Sequence, residues 1–184
     1  MPNNIRNQTA YVQSGDPETV DDVTPYAPGM VGCSVTIKQT TSGTPGSPDA
    51  ESGVVKTYQY VRGDSTMTVA PFPGAVMAWA DKANYKVTTA ATNRGQVAGI
   101  CQNTPTNAGN YFYIQTEGPA LVKFIDAVTS TPDATGKWVI MSATAGKADC
   151  IATAPTFPTL GRTSSVYDAA QAQGIVDLGL PAVH

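Results

Sequence analysis

Histidine is almost absent from this sequence, because the only one is His184, the last residue. A terminal side chain is difficult to hold in a catalytic geometry, and histidine is the commonest general base and metal ligand of proteins. The sequence therefore excludes Ser-His-Asp and Cys-His catalysis and disfavours histidine-based zinc sites. No residue pattern predicts a metal or another cofactor.

Charge is also scarce, at 14% of residues against the usual quarter. No basic run or stripe is present, so nucleic-acid binding has no electrostatic footprint. No apolar run approaches the roughly 20 residues that span a membrane, and the first residues lack the apolar centre of a signal peptide. We therefore expect a protein that is made in a cytoplasm and contacts neither nucleic acid nor membrane.

Cysteine is limited to Cys33, Cys101 and Cys150, an odd number without any Cys-x-x-Cys pair. Each lies in an apolar or strand-like setting, where a reduced cysteine packs as a small hydrophobe. The sequence therefore predicts buried thiols in preference to a structural disulfide.

Helix signals are nearly missing, and the only candidate is 167–174, an Ala-rich stretch of one or two helical turns or a loop. Short β-branched runs between turn formers, with 17 Gly and 14 Pro, predict an all-β fold. Apolar and polar residues alternate over 31–38, as in a half-buried strand, and 39–53 is rich in turn formers, as in an exposed loop. Further strands are predicted at 54–61, 75–80, 86–90, 97–101, 111–117, 120–126, 138–142, 149–153 and 174–178.

The chain divides into an N-terminal arm, 1–30, and a β-rich body, 31–184. The arm carries the whole net charge of −3, while acids and bases balance in the body. Its prolines resist both helix and central strand, so we expect it to lie extended, away from its own body and against a neighbouring subunit. A disordered terminus is the alternative. Its apolar docking points include Tyr11, Tyr26 and Met30.

The spacing of glycines and apolar strands in residues 74–122 is repeated 62 residues later, in 136–184. Glycines and apolar strands coincide without a gap, and Gly99 meets Gly161. This register predicts a structural duplication with the two glycines at matching turns; two ordinary meanders with similar turns are the alternative.

Three further patterns have a functional and a structural interpretation. Arg62 to Ser65 spell RGDS, an adhesion motif or, as we favour, a turn after a strand. Six aromatic residues could form a sugar-stacking platform or be divided between core and surface by strand parity: Trp79, Trp138, Phe112, Phe124, Tyr111 and Tyr113. On one face of the 111–117 strand lie Tyr111, Tyr113 and Gln115, which we predict to contact another subunit, since tyrosine is favoured at interfaces.

The segments "GAVMAWAD", "GQVAGICQNTPTNAGNYFYIQTEGPALVKF" and "LGRTSS…GIVDLGLP" resemble the capsid decoration (cement) proteins of tailed bacteriophages. The resemblance covers 74–182 and rests on strand-and-turn outlines. It implies a β-sandwich or β-barrel-like body on the outer surface of an icosahedral head. It also implies a homotrimer, or a dimer, that clamps neighbouring subunits of the major capsid protein, without catalytic residues.

The sequence thus leads to the expectation of a structural protein of the virion that is not an enzyme. The alternative is a phage tail, fibre or adhesion module that binds host-surface glycans. An enzyme such as a two-carboxylate glycosidase is the third candidate, but Glu117 and Asp126 lie in strand contexts without evident partners.

Overall fold

The chain is built almost wholly of β-strands, with a single short 3-10 helix over Ala91–Asn93 and no α-helix in the parts that the computed structural model describes. The prediction of an all-β fold is confirmed. The described residues are 21–22, 34–41, 50–102, 109–132 and 136–179. The strands are β1 (Asp21–Asp22), β2 (Ser34–Thr41), β3 (Ala50–Gly63), β4 (Ala75–Asp81), β5 (Lys86–Thr88), β6 (Val97–Cys101), β7 (Tyr111–Lys123), β8 (Trp138–Met141), β9 (Ala148–Ile151), β10 (Thr159–Asp168) and β11 (Gln173–Gly179).

Five of these strands close into a ring, which we call the first barrel. β3 pairs with β5 in parallel and with β7 antiparallel, β5 pairs with β4, β4 with β6, and β6 returns to β7. Closure satisfies the backbone hydrogen bonds around the ring without leaving an open sheet edge. The buried apolar cluster inside this barrel comprises Val61, Ala75, Met77, Trp79, Val87, Ala98, Cys101, Phe112 and Ile114.

The later strands lie outside this ring and form a second, incompletely closed sheet on the other half of β7, which we call the second barrel. β7 pairs with β11, β11 with β10, β10 with β8 and β8 with β9, and a parallel bridge between Phe124 and Ala148 brings the two ends together. We call its buried cluster the shared core, because it also contains residues from the outer face of the first barrel. Its members are Val76, Ala78, Ile100, Ala120, Val122, Phe124, Val139, Met141, Ala148, Cys150, Leu160, Val176 and Leu178.

The two barrels are repeats of one another, as the sequence predicted. β4, β6 and β7 correspond to β8, β10 and β11 at a distance of 62 residues, and the pairing registers agree. Met77 pairs with Gly99, just as Val139 pairs with Gly161. Both pairs of strands also shift register next to this glycine, so the irregularity is repeated too.

Gly99 and Gly161 occupy equivalent positions within strands, not at turns as expected. A Cβ on Gly99 would lie 2.7 Å from the carbonyl oxygen of Gln115, and a Cβ on Gly161 would overlap the carbonyl group of Asp177. Gln115 and Asp177 are themselves equivalent. The sequence therefore retains glycine at both places because the neighbouring backbone comes too close for a side chain.

β7 is shared by the barrels and bends where it passes from one to the other. The sequence predicted two strands here, 111–117 and 120–126, because Gly-Pro typically ends a strand; the structure has one. Gly118 takes a φ of +83° at the bend. The Nε2 of Gln115 donates hydrogen bonds to the carbonyl oxygens of Glu117 and Pro119, both at 3.0 Å, and so holds the bent segment together.

Three other sequence expectations are corrected by the structure. β10 was not predicted, because its apolar alternation is interrupted by a register shift between Thr163 and Tyr167. The helix candidate 167–174 is instead the end of β10, a turn and the beginning of β11. In the arm, Asp21–Asp22 pair with β7 of the same chain, so the arm does not lie away from its own body at these two residues.

Candidate interaction surfaces

The predicted interface residues of the body lie on the outer face of the first barrel. Tyr111, Tyr113 and Gln115 alternate on β7 with the interior residues Phe112 and Ile114. The arm residues of the same prediction, Tyr11, Tyr26 and Met30, lie outside the described residues.

Aromatic rings cover this outer face within a single chain. Tyr60 on β3 stacks on Tyr111 at a centroid distance of 6.0 Å and lies 4.9 Å from the ring of Tyr113. Tyr60 and Tyr113 are 0% and 5% exposed, whereas Tyr111 is half-buried. The exposed Arg62 places its guanidinium 5.5 Å from the Tyr111 ring centroid. A partner could thus contact Tyr111 and Arg62 here, but not the two rings beneath them.

Gln115 has no exposed surface, so its side chain belongs to the fold. The register places it beside Ile100 on β6, which in turn pairs with Val76 on β4. Cross-strand partners present their side chains on the same face of a sheet. Val76, Ile100 and Gln115, which we call the inner row, are each 0% exposed.

The equivalent residues of the second barrel are on the surface. The same register aligns Trp138 on β8, Arg162 on β10 and Asp177 on β11, and we call these three residues the outer row. Arg162 and Asp177 are exposed and Trp138 is half-buried. Sequence reasoning singled out Trp138 alone; the alignment of the two repeats contained the signal that would have found the row.

The guanidinium of Arg162 is held over the Trp138 ring. Its Cζ lies 3.6 Å from the ring centroid, and its Nη1 donates a hydrogen bond to the carbonyl oxygen of Gly136 at 2.7 Å. Such a cation–π contact fixes a long side chain that would otherwise sample many rotamers. The outer row is therefore a preformed surface of one flat aromatic ring and two opposite charges.

Aromatic residues follow strand parity, as one of the two interpretations of the sequence predicted. Trp79, Phe112 and Phe124 are buried in the two cores, and Trp138 and Tyr111 face outward. The outward rings lie on different barrels. This arrangement does not place the six aromatic residues on one sugar-stacking platform.

The RGDS segment ends β3 and enters a turn. The carboxylate of Asp64 accepts hydrogen bonds from the backbone N–H and the hydroxyl of Thr66, both at 2.9 Å. These bonds, the backbone one first, lower the pKa of Asp64 below its ordinary value of 3.8. The turn interpretation of the sequence agrees with this geometry.

We expect the Asp64 turn to lose its stabilising effect in acid. Because the folded-state pKa is depressed, the stabilisation is present above pH 3.8 and is lost as the pH falls through the lower folded value. The effect should stay below about 1 kcal/mol, since the group is largely exposed. Thermal melts of wild type and Asp64→Asn between pH 2 and 7 should converge at the acid end. A constant difference in melting temperature across this range would contradict the assignment.

The carboxylates considered for glycosidase chemistry have separate structural partners. Glu117 accepts a hydrogen bond from the Thr57 hydroxyl at 2.9 Å, and Asp126 lies 3.5 Å from the Lys147 ammonium. Within the described ranges no group of three or more His, Cys, Asp or Glu side chains is arranged to hold a metal ion. The same part of the chain contains no helix with the length and apolar character of a membrane span.

No protein-family model, curated protein or solved structure matches this chain.

Proposed function

We propose that this chain is a capsid decoration protein of a tailed bacteriophage. It binds the outer surface of the head, as a homotrimer, and stabilises the lattice of the major capsid protein. Its role is structural, not enzymatic, and its place is the virion.

The observation that carries this proposal is the position of the family-like segments in the fold. The segment "GAVMAWAD" supplies β4, the long central segment supplies β6 and β7, and the last segment supplies parts of β10 and β11. All three lie on strands that belong to the repeat, in which β4, β6 and β7 correspond to β8, β10 and β11. The resemblance thus covers strands of the repeated framework, together with the connection between β6 and β7.

The shape of the molecule also suits a cementing role. The two barrels are joined by a continuous strand and pack through the shared core, without a linker between them. A body of this kind presents surfaces at fixed separations, which is what a clamp on neighbouring lattice subunits requires. The described N-terminal residues Asp21–Asp22 pair with Phe112 and Tyr111 of β7, so these two acidic residues lie on the first barrel.

The proposal is tested on purified particles. We expect mass spectrometry of virions to find this chain in hundreds of copies, in a fixed ratio to the major capsid protein. Deleting residues 1–28 should leave a folded body with nearly the same melting temperature but much weaker occupancy of undecorated heads. The matched control keeps the length of the arm and removes only its negative charges. In this variant the following residues are changed to their amides: Asp16, Glu18, Asp21 and Asp22.

Two results would contradict the proposal or its use of the arm. Absence of the chain from purified particles would exclude a decoration role. If the truncated protein decorated heads as tightly as the full chain, the arm would have no part in binding.

The outer row favours one alternative, a phage tail, fibre or adhesion module that binds host glycans. A half-exposed Trp138 with Arg162 and Asp177 beside it offers a stacking ring and hydrogen-bonding groups, as sugar sites do. A glycan array and a cell-binding assay distinguish the two functions. Binding that Trp138→Ala abolishes, together with absence from capsids, would favour the adhesion module.

A further inference from the structure

The inner row is buried because the second barrel packs against it. Val76 and Ile100 belong to the shared core. Beside them, the β8–β9 turn docks on the first barrel: the N–H of Val76 donates to the carbonyl oxygen of Gly146 at 2.8 Å. The N–H of Gly146 in turn donates to the carbonyl oxygen of Thr89 at 2.9 Å. The barrel–barrel contact therefore consists of the shared core, which buries Val76 and Ile100, and of the β8–β9 turn, which bonds to the backbone of Val76 and Thr89.

The outer row has the same place in the second barrel, but within the described residues no further barrel lies on it. The hairpin turn of the first barrel, 82–85, is likewise uncovered, with Lys82, Ala83 and Asn84 all exposed. Each molecule thus has an uncovered counterpart of both sides of this contact. The outer row lies on the second barrel, and the 82–85 turn lies on the first.

The two contacts differ in charge. Within the chain, the inner row has no charged residue, and the facing turn, 142–147, has one, Lys147, which lies 3.5 Å from Asp126. In the uncovered surfaces, the outer row has one cation and one anion, and Asp81, the last residue of β4, is followed by Lys82 in the turn. Each uncovered surface therefore carries charges of both signs.

The β4–β5 turn is fixed before any partner arrives. The Nδ2 of Asn84 donates to Asp81 Oδ2 at 2.7 Å, and its backbone N–H donates to Oδ1 at 3.3 Å. A preformed turn and a preformed Trp138–Arg162 stack lose little conformational entropy on association. Tryptophan and arginine are also the residue types that dominate binding energy at protein interfaces.

We propose that the outer row of one molecule binds the β4–β5 turn of a second copy of this chain. Asp177 then faces Lys82, and Arg162 faces Asp81, of the neighbouring molecule. The contact is head-to-tail, so it closes into a ring when the rotation between molecules permits and otherwise extends as a chain. It requires no capsid: it gives a contact through which the proposed homotrimer can form, and it does not depend on binding to the head.

The test uses charge reversal at the pair Lys82 and Asp177 in the full chain. Both side chains are exposed, and Lys82→Glu leaves the Asp81–Asn84 hydrogen bonds in place. Sedimentation velocity over a dilution series at low salt gives the association constant of each variant. We expect Lys82→Glu and Asp177→Lys each to weaken self-association by at least about tenfold, because each brings like charges together. The double variant should return to within about threefold of wild type.

A mixture of the two single variants tests the head-to-tail geometry. At one of the two possible contacts the new Glu of one variant meets the new Lys of the other, and at the second contact the unchanged Asp177 meets the unchanged Lys82. We therefore expect the mixture to regain self-association, with the two variants alternating, while each variant alone does not. Reversal of the surface pair Asp126 and Lys147 provides the control, since it changes the same charges away from both surfaces. Circular dichroism and thermal melts establish that every variant is folded.

Three results would overturn the proposal: a wild-type protein that stays monomeric up to about 1 mM, single variants that associate as tightly as wild type, or a double variant that does not recover. A failure of the protein to bind phage heads would not alter any of these readings.

Discussion

Gly161→Ala is expected to lower the free energy of unfolding by at least about 3 kcal/mol, which corresponds to a melting temperature roughly 6–12 °C lower for a chain of this size. The added methyl group would overlap the carbonyl oxygen of Asp177 and lie 2.8 Å from its carbonyl carbon. Backbone atoms cannot rotate away as a flexible side chain can. The substitution must therefore push β10 from β11 and break one of the strand pairings of the second barrel.

Substitutions at two other glycines serve as controls for this result. Gly99→Ala, the equivalent change in the first barrel, brings the Cβ to 2.7 Å from the Gln115 carbonyl oxygen and should cost about 1–3 kcal/mol. Gly95→Ala meets nothing within 4 Å and should change stability by less than about 0.5 kcal/mol. Chemical denaturation of the three variants measures the order. Equal stability of the Gly161→Ala and Gly95→Ala proteins would show that the strands are further apart than described.

Gly118→Ala should produce the second large loss of stability, again of about 3 kcal/mol or more. Two costs combine at this position. The backbone φ of +83° is unfavourable for alanine, and the new Cβ would overlap the carbonyl group of Val55 on β3. Because Gly118 forms the bend in β7, relief of the overlap would disturb both barrels.

Gly136→Ala separates these two costs. Gly136 has a nearly identical φ of +85°, but a Cβ there would meet nothing within 4 Å. The free energy of unfolding of the Gly136→Ala variant should fall only by the conformational cost, about 1 kcal/mol. The measurement is the difference in unfolding free energy between the two variants. If both variants lose the same amount, the approach of Val55 does not constrain the bend.

The strands that the sequence predicted well are continuous apolar runs. Val97–Cys101 has the predicted bounds, and Ala75–Asp81 extends the prediction by one residue, because apolar side chains enter two cores on alternate sides. β10 was missed where a bulge breaks the period of two. Periodicity reports which side of a strand is apolar, but it fails wherever the backbone changes register.

The candidate surface was predictable only in part, because one sequence does not show what packs on the second face of a strand. Tyr113 and Gln115 looked like contacts for another subunit, yet both are buried within their own chain. Arg162 was not predicted as a surface residue of interest, since its contact with Trp138 depends on the pairing of β8 with β10. The repeat register, which the sequence did contain, aligns Trp138 with Val76 and Arg162 with Ile100.

The sharing of β7 has a consequence for how the protein unfolds. Tandem repeats usually melt piecewise, because each unit keeps its own set of strands and loses only contacts with its neighbour. Here residues 111–117 close the first barrel and 117–123 begin the second, so neither ring can lose this strand without opening the other. We therefore expect the two halves to unfold as one cooperative unit, so that a destabilising change in either barrel lowers the stability of both.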